Sequence, residues 1–100
     1  MPTDLAKFHE EAAAEYDAAF EWYLERSPDA ALKFDAEVDR ALTQIIQSPE
    51  RWAMGSVSTR RFLLKQFPFV LIYRVQPSGD VQIVAVAHTS RKPRYWKGRV

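Results

Sequence analysis

The sequence contains no cysteine. Without thiols the chain has neither a disulfide framework nor a thiolate-bound metal, and the absence fits a reducing compartment. Glycine is almost as scarce, three residues in 100, and none sits in a phosphate-cradling loop or a nucleophile elbow. The two histidines, His9 and His88, are not at metal-ligand spacing, so no metal site is expected. No apolar run approaches the ~20 residues of a membrane helix. Met1-Pro2-Thr3-Asp4 lacks the basic start and apolar core of an export signal. Together these absences predict a soluble cytoplasmic protein that uses no cofactor.

What is present is a core-forming composition. With 47% apolar and 13% aromatic residues, residues 1–100 are expected to form a single domain around one core, with no staple needed. The net charge of +1 hides a division at the midpoint. Residues 1–50 hold twelve acidic and four basic residues, a balance of −8, whereas residues 51–100 hold ten basic residues and only Asp80, a balance of +9. Either the two halves neutralise each other in the fold, or the basic half meets something anionic, nucleic acid or an acidic protein.

Leu5–His9 alternates apolar with polar and is expected to be an edge strand. From Glu10 the period changes: Ala12, Ala13, Tyr16, Ala19, Phe20, Tyr23 and Leu24 form a helical stripe. Glu10, Glu11 and Glu15 near its start are explained by the helix dipole. Ser27-Pro28-Asp29 then starts a second helix, with Ser27 as N-cap and Pro28 in the first turn. Its apolar face is Ala31, Phe34, Val38, Leu42, Ile45 and Ile46; Asp35, Glu37, Asp39 and Arg40 are placed towards solvent. The helix ends before Pro49, and so short a link at residues 26–28 predicts an antiparallel helix hairpin. After a connecting loop at residues 49–59 come three apolar runs, separated by Phe67-Pro68 and by Gln76-Pro77-Ser78-Gly79-Asp80. In them Phe62 and Leu64 oppose Leu63; Phe69, Leu71, Tyr73 and Val75 oppose Val70, Ile72 and Arg74; and Val81, Ile83 and Ala85 oppose Val84 and Val86. The fold class is α+β: an N-terminal edge strand, a helix hairpin packed on a three- to four-stranded antiparallel sheet, and a short basic tail. The helices cover one sheet face. The other is covered too, or awaits a partner.

His88 ends a hydrophobic strand and is followed by Arg91, Lys92, Arg94, Tyr95, Trp96, Lys97 and Arg99. A metal-free ribonuclease needs a base for the 2′-hydroxyl, an acid for the leaving oxygen and cations for the phosphorane charge. Arg61, His88, Arg91 and Tyr95 are the candidates for those roles. Arg60, Arg61, Arg91, Lys92, Arg94, Tyr95, Trp96, Lys97 and Arg99 are the candidate target or nucleic-acid contacts, with an aromatic ring available to stack on a base. On the other reading, Tyr95 and Trp96 pin the tail to the sheet. Arg74, in an apolar strand, is assigned to a structural ion pair with a helix carboxylate.

The order Ser48-Pro49-Glu50-Arg51-Trp52, Arg60-Arg61-Phe62, Phe67-Pro68-Phe69-Val70-Leu71-Ile72-Tyr73-Arg74-Val75, Ala85-Val86-Ala87-His88 and Arg91-Lys92-Pro93-Arg94-Tyr95-Trp96 resembles the RelE/ParE superfamily of type II toxins, in the ParE-like branch of plasmid stabilisation proteins. The resemblance covers nearly the whole chain. It implies a growth-inhibiting toxin neutralised by a cognate antitoxin that wraps around it, open to higher-order assembly. Two targets follow from it: DNA gyrase for ParE-like members, without a hydrolytic site, and ribosome-bound mRNA for RelE-like endonucleases. Arg61, Arg91 and Tyr95 partly match the nuclease pattern, but Leu63 and Val70 stand where such a nuclease presents basic groups. The gyrase reading is therefore preferred, with the nuclease second and a non-toxic nucleic-acid-binding module third.

Overall fold

A computed structural model describes residues 6–55 and 57–100. Its elements in chain order are β1 (Ala6–Phe8), α1 (Glu10–Arg26), α2 (Pro28–Gln47), β2 (Arg60–Leu63), β3 (Phe69–Val75), β4 (Val81–His88) and a 3-10 turn at Lys97–Arg99. Leu5, expected to open the edge strand, and Ser56 of the connecting loop lie outside the described residues. Among those described, no helix is long and apolar enough to cross a membrane.

The hairpin forms for the local reasons read above. The Ser27 N–H donates to the Tyr23 carbonyl (2.7 Å), and its Oγ accepts from the Ala30 N–H (3.2 Å), so one residue ends α1 and starts α2. His9 caps α1, its Nδ1 accepting from the Glu11 N–H at 3.1 Å. Pro49 lies just past the end of α2, whose cap Ser48 donates to the Gln44 carbonyl (3.1 Å). The helices are also joined by the Tyr16 hydroxyl, which donates to Asp35. Phe34, wholly buried, meets Tyr16, Tyr23, Phe67 and Phe69. Burial of such a ring stabilises by about 1.5–3 kcal/mol.

The strands are ordered β1-β4-β3-β2. The expected meander of β2, β3 and β4 is antiparallel, whereas β1 joins β4 in parallel, so the sheet is mixed. The β3–β4 turn closes with Gln76 N–H to the Asp80 carbonyl and Gly79 N–H to the Gln76 carbonyl, both 2.8 Å; Gly79 takes the φ of +92° that the turn requires.

One irregularity governs which residues face which way. Ile72 pairs with Ala85 but Tyr73 pairs with Ile83, leaving Val84 as an extra residue, a β-bulge. Alternation was expected to put Ala85 on the same face as Ile83. The bulge shifts the phase, so Val81, Ile83 and Val86 join the helix-side core, while Val84, Ala85 and Ala87 join a second cluster with Val70, Ile72 and Trp96. Both faces of the sheet are therefore apolar, one beneath the helices and one partly beneath the C-terminal tail.

Three charged residues depart from their expected settings. Glu37 is buried rather than solvent-facing, and its carboxylate accepts from the backbone N–H groups of Lys65 and Gln66. Asp35 is half-buried against Tyr16. Arg74 binds no helix acid; its Nε donates to Gln82 Oε1 on the adjacent strand at 2.8 Å.

Candidate functional site

The sheet face away from the helices carries a cleft of about 350 Å3. Register explains its floor. Leu63, Val70 and Ala87 form one cross-strand row, and Arg61, Ile72 and Ala85 form the next, so these side chains share a face. Because Phe62 points into the core, its neighbours Arg61 and Leu63 are exposed. The tail lays Arg91, Lys92 and Arg94 along the far rim, and the loop before β2 supplies Gly55 and Thr59.

Behind the tail stands a half-buried cluster that the sequence did not announce as such. Glu15 on α1 receives Arg99 through two hydrogen bonds of 2.9 Å, the Tyr95 hydroxyl at 2.6 Å and the Val86 N–H at 3.0 Å. Arg99 also donates to the Val84 carbonyl (3.0 Å) and lies 3.6 Å from Glu11. β1 covers β4 only over Val81–Ile83, and the bulge turns further backbone groups outward. Glu15 and Arg99 thus take the place of the missing strand partner. Burial pushes the Glu15 carboxyl up, but hydrogen bonds from Arg99, Tyr95 and Val86 outweigh it, and its pKa lies below the usual value. Burial, followed by the hydrogen bond to Glu15, pushes the Tyr95 hydroxyl well above the ordinary tyrosine range.

The sequence-predicted site residues divide accordingly. Arg61, Arg91, Lys92 and Arg94 meet at the cleft, and Lys97 is exposed on the tail. Arg91 lies over the Tyr95 ring at 3.9 Å from its centre. Trp96, offered either as a stacking ring or as a pin for the tail, takes the second role and is buried against the sheet. Arg99 is committed to Glu15. Arg60 braces the preceding loop, its Nη1 donating to the carbonyls of Trp52 (2.8 Å) and Glu50 (3.2 Å). His88 touches the cleft's end, but its ring packs edge-on to Phe69 at 5.1 Å and its Nδ1 is occupied by the Ser90 N–H (3.0 Å) and hydroxyl (2.8 Å). Arg61 and His88 lie on rows that face opposite sides of the sheet, and the Tyr95 hydroxyl is turned to α1. All four candidates of the nuclease reading, Arg61, His88, Arg91 and Tyr95, line this one cleft, but the Tyr95 hydroxyl and the His88 Nδ1 are already bonded to Glu15 and Ser90.

Glu15 was the residue missed, assigned only to the helix dipole. The signal was its spacing: with Ala12, Tyr16 and Ala19 it belongs to the buried stripe of α1, where a carboxylate requires partners.

The family described as "ParE toxin of type II toxin-antitoxin system, parDE" matches residues 6–93. The chain belongs to the ParE toxin family. It is 32% identical over 72 residues to "Putative toxin Y4kP" of Sinorhizobium fredii (strain NBRC 101917 / NGR234), spanning 70% of this chain and 73% of that one. Among solved structures it is similar to "Chromosomal ParDE TA system from P. aeruginosa", with a TM-score of 0.74 and 24% identity over 85% of this chain and 95% of that chain. At that identity the likeness concerns the fold, and it bears out the α+β arrangement of helix hairpin and sheet expected for a ParE toxin.

Proposed function

We propose that this ParE-family toxin arrests bacterial growth in the cytoplasm by binding DNA gyrase, and that a cognate antitoxin silences it. The observation that carries the non-hydrolytic reading is the commitment of Tyr95: with its hydroxyl held by Glu15 at 2.6 Å and its proton tightly retained, the nuclease alternative loses its acid. What remains at the cleft is a set of exposed cations suited to gripping a partner. The gyrase target is the one implied by likeness to ParE toxins, and family membership supports it over the ribosome.

A neighbouring surface, which meets the cleft at His88 and Arg91, suits the antitoxin. A groove of about 460 Å3 runs between α1 and the end of β4, lined by Ala18, Ala19, Trp22, Tyr23 and Phe69. Trp22 is 51% exposed with Arg26 over its ring at 3.7 Å. An amphipathic antitoxin segment would bury this apolar surface.

Purified toxin added to a gyrase supercoiling reaction and to programmed ribosomes tests the target: supercoiling should fall while mRNA stays intact. Cleaved mRNA with normal supercoiling would instead establish the RelE-like reading. Coexpression with the cognate antitoxin should restore growth and yield a stable complex.

A further inference from the structure

We propose that the cleft on the helix-free face of the sheet seats an acidic, aliphatic peptide segment of the protein this toxin inhibits. The proposal deepens the inhibitory reading above, on which it rests, by specifying the chemistry that the cleft recognises.

Charge is the first argument. Arg61, Arg91, Lys92 and Arg94 line one small cleft, and no aspartate or glutamate lines it with them. The ion pairs among the described residues lie elsewhere, at Asp29–Lys33 and at Arg99 with Glu11 and Glu15. Four cations so placed repel one another until an anion arrives, and three are guanidinium groups, whose planar fork matches a carboxylate or a phosphate.

The floor and the rings decide between those two anions. Val70, Ile72 and Ala87 make an aliphatic floor, extended along its row by Leu63, 62% exposed. Such a surface desolvates a leucine, isoleucine or valine side chain. Proteins that grip single-stranded nucleic acid offer open aromatic faces to the bases; Tyr95 and Trp96 line the cleft, but Trp96 is buried and the Tyr95 ring is covered by Arg91 at 3.9 Å, with Arg99 at 5.2 Å from its centre. An aliphatic floor inside a ring of cations fits a segment that alternates carboxylates with aliphatic side chains.

The backbone around the cleft is held in uncommon conformations. Val57 and Ser58, between Gly55 and Thr59 of the cleft wall, have φ of 57° and 58°, and Arg94 on the opposite rim has φ of 59°. A β-branched residue in the left-handed region is costly, and strain of this kind gathers at ligand clamps. The groove proposed above for the antitoxin lies along α1 and meets this cleft only at His88 and Arg91, which leaves Arg61, Lys92, Arg94 and the aliphatic floor to the target.

The test is fluorescence anisotropy at physiological salt, using a labelled short peptide alternating Glu with Ile, the same peptide with Gln for Glu, and a single-stranded RNA of equal length. The acidic peptide should bind about tenfold or more tightly than either control. Arg61→Glu combined with Arg94→Glu, both at exposed positions, should weaken it by a similar factor with the circular dichroism spectrum unchanged. Leu63→Asn should weaken it without altering charge. Tighter binding of the RNA, indifference to the charge reversal, or no binding to the acidic peptide would each overturn the proposal. The purified toxin–antitoxin complex should still bind the peptide; loss of binding there would give the cleft to the antitoxin and remove the target from it. Gyrase inhibition is measured separately, so a toxin that binds the peptide yet leaves supercoiling intact refutes the target and not the cleft's chemistry.

Discussion

Glu15 and Arg99, 84 residues apart in sequence, meet through two parallel hydrogen bonds of 2.9 Å. The pair ties the C-terminal tail to the first helix, and through Val84 and Val86 it ties both to the uncovered edge of β4.

Replacing Glu15 by alanine should therefore destabilise the protein by about 3–5 kcal/mol, because it strands Arg99, only 10% exposed at its side chain, without its counter-charge. Equilibrium urea unfolding would measure the loss; an effect below ~1 kcal/mol would mean that the tail is not anchored here.

The same contact predicts a pH dependence. The folded-state pKa of Glu15 is depressed, so its stabilisation is present above the ordinary carboxylate range and is lost as the pH falls through the lowered folded value. Unfolding free energy recorded from neutral to acid pH should decline more steeply for the wild type than for Glu15→Gln, in which this titration is removed.

Tyr95→Phe separates the two modes of action. It removes one hydrogen bond to Glu15 and should cost about 1 kcal/mol of stability, while growth arrest persists. A folded Tyr95→Phe protein that no longer arrests growth would return the hydroxyl to a chemical role.

Val57→Gly should raise stability by about 1 kcal/mol, since glycine occupies φ near 57° without the clash a β-branched side chain meets. Thermal unfolding would show it. If the conformation is held for binding, the same variant should weaken capture of the acidic peptide.

Glu37→Ala leaves two backbone donors, those of Lys65 and Gln66, without their acceptor, and should cost about 1–3 kcal/mol. Hydrogen exchange at these two amides should accelerate more than at neighbouring positions.

Much of this was legible in the sequence because it is local. Ser27-Pro28 carries its own capping chemistry, and the stripes of α1 and α2 give both helices and their buried faces, apart from Leu24, which is exposed. Phe69–Val75 alternates as written. The basic rim was legible from composition, since Arg61, Arg91, Lys92 and Arg94 stand in a half with one carboxylate. What was hidden depends on contacts far along the chain. The parallel pairing of β1 arises after both helices have returned the chain to the sheet, Trp96 docks on strands far earlier in the chain, and Arg99 needs an acceptor 84 residues away. Glu15 and Glu37 were misread for another reason. Each falls at the spacing of a buried stripe, where a carboxylate requires an internal partner; the helix dipole offered a sufficient reason for Glu15, and the neighbouring charges drew Glu37 towards solvent.

The single supernumerary residue in β4 also sculpts the hollow opposite the helices. Beyond Val84 the strand presents Ala85 and Ala87 to that side and sends Val86 beneath α1, so the smallest side chains lie where a guest needs depth and the larger one where the interior needs bulk. Were Val84 paired in regular alternation with Ile72 instead of bulged, these two roles would swap at a stroke, plugging the hollow with Val86 and leaving a void under the first helix.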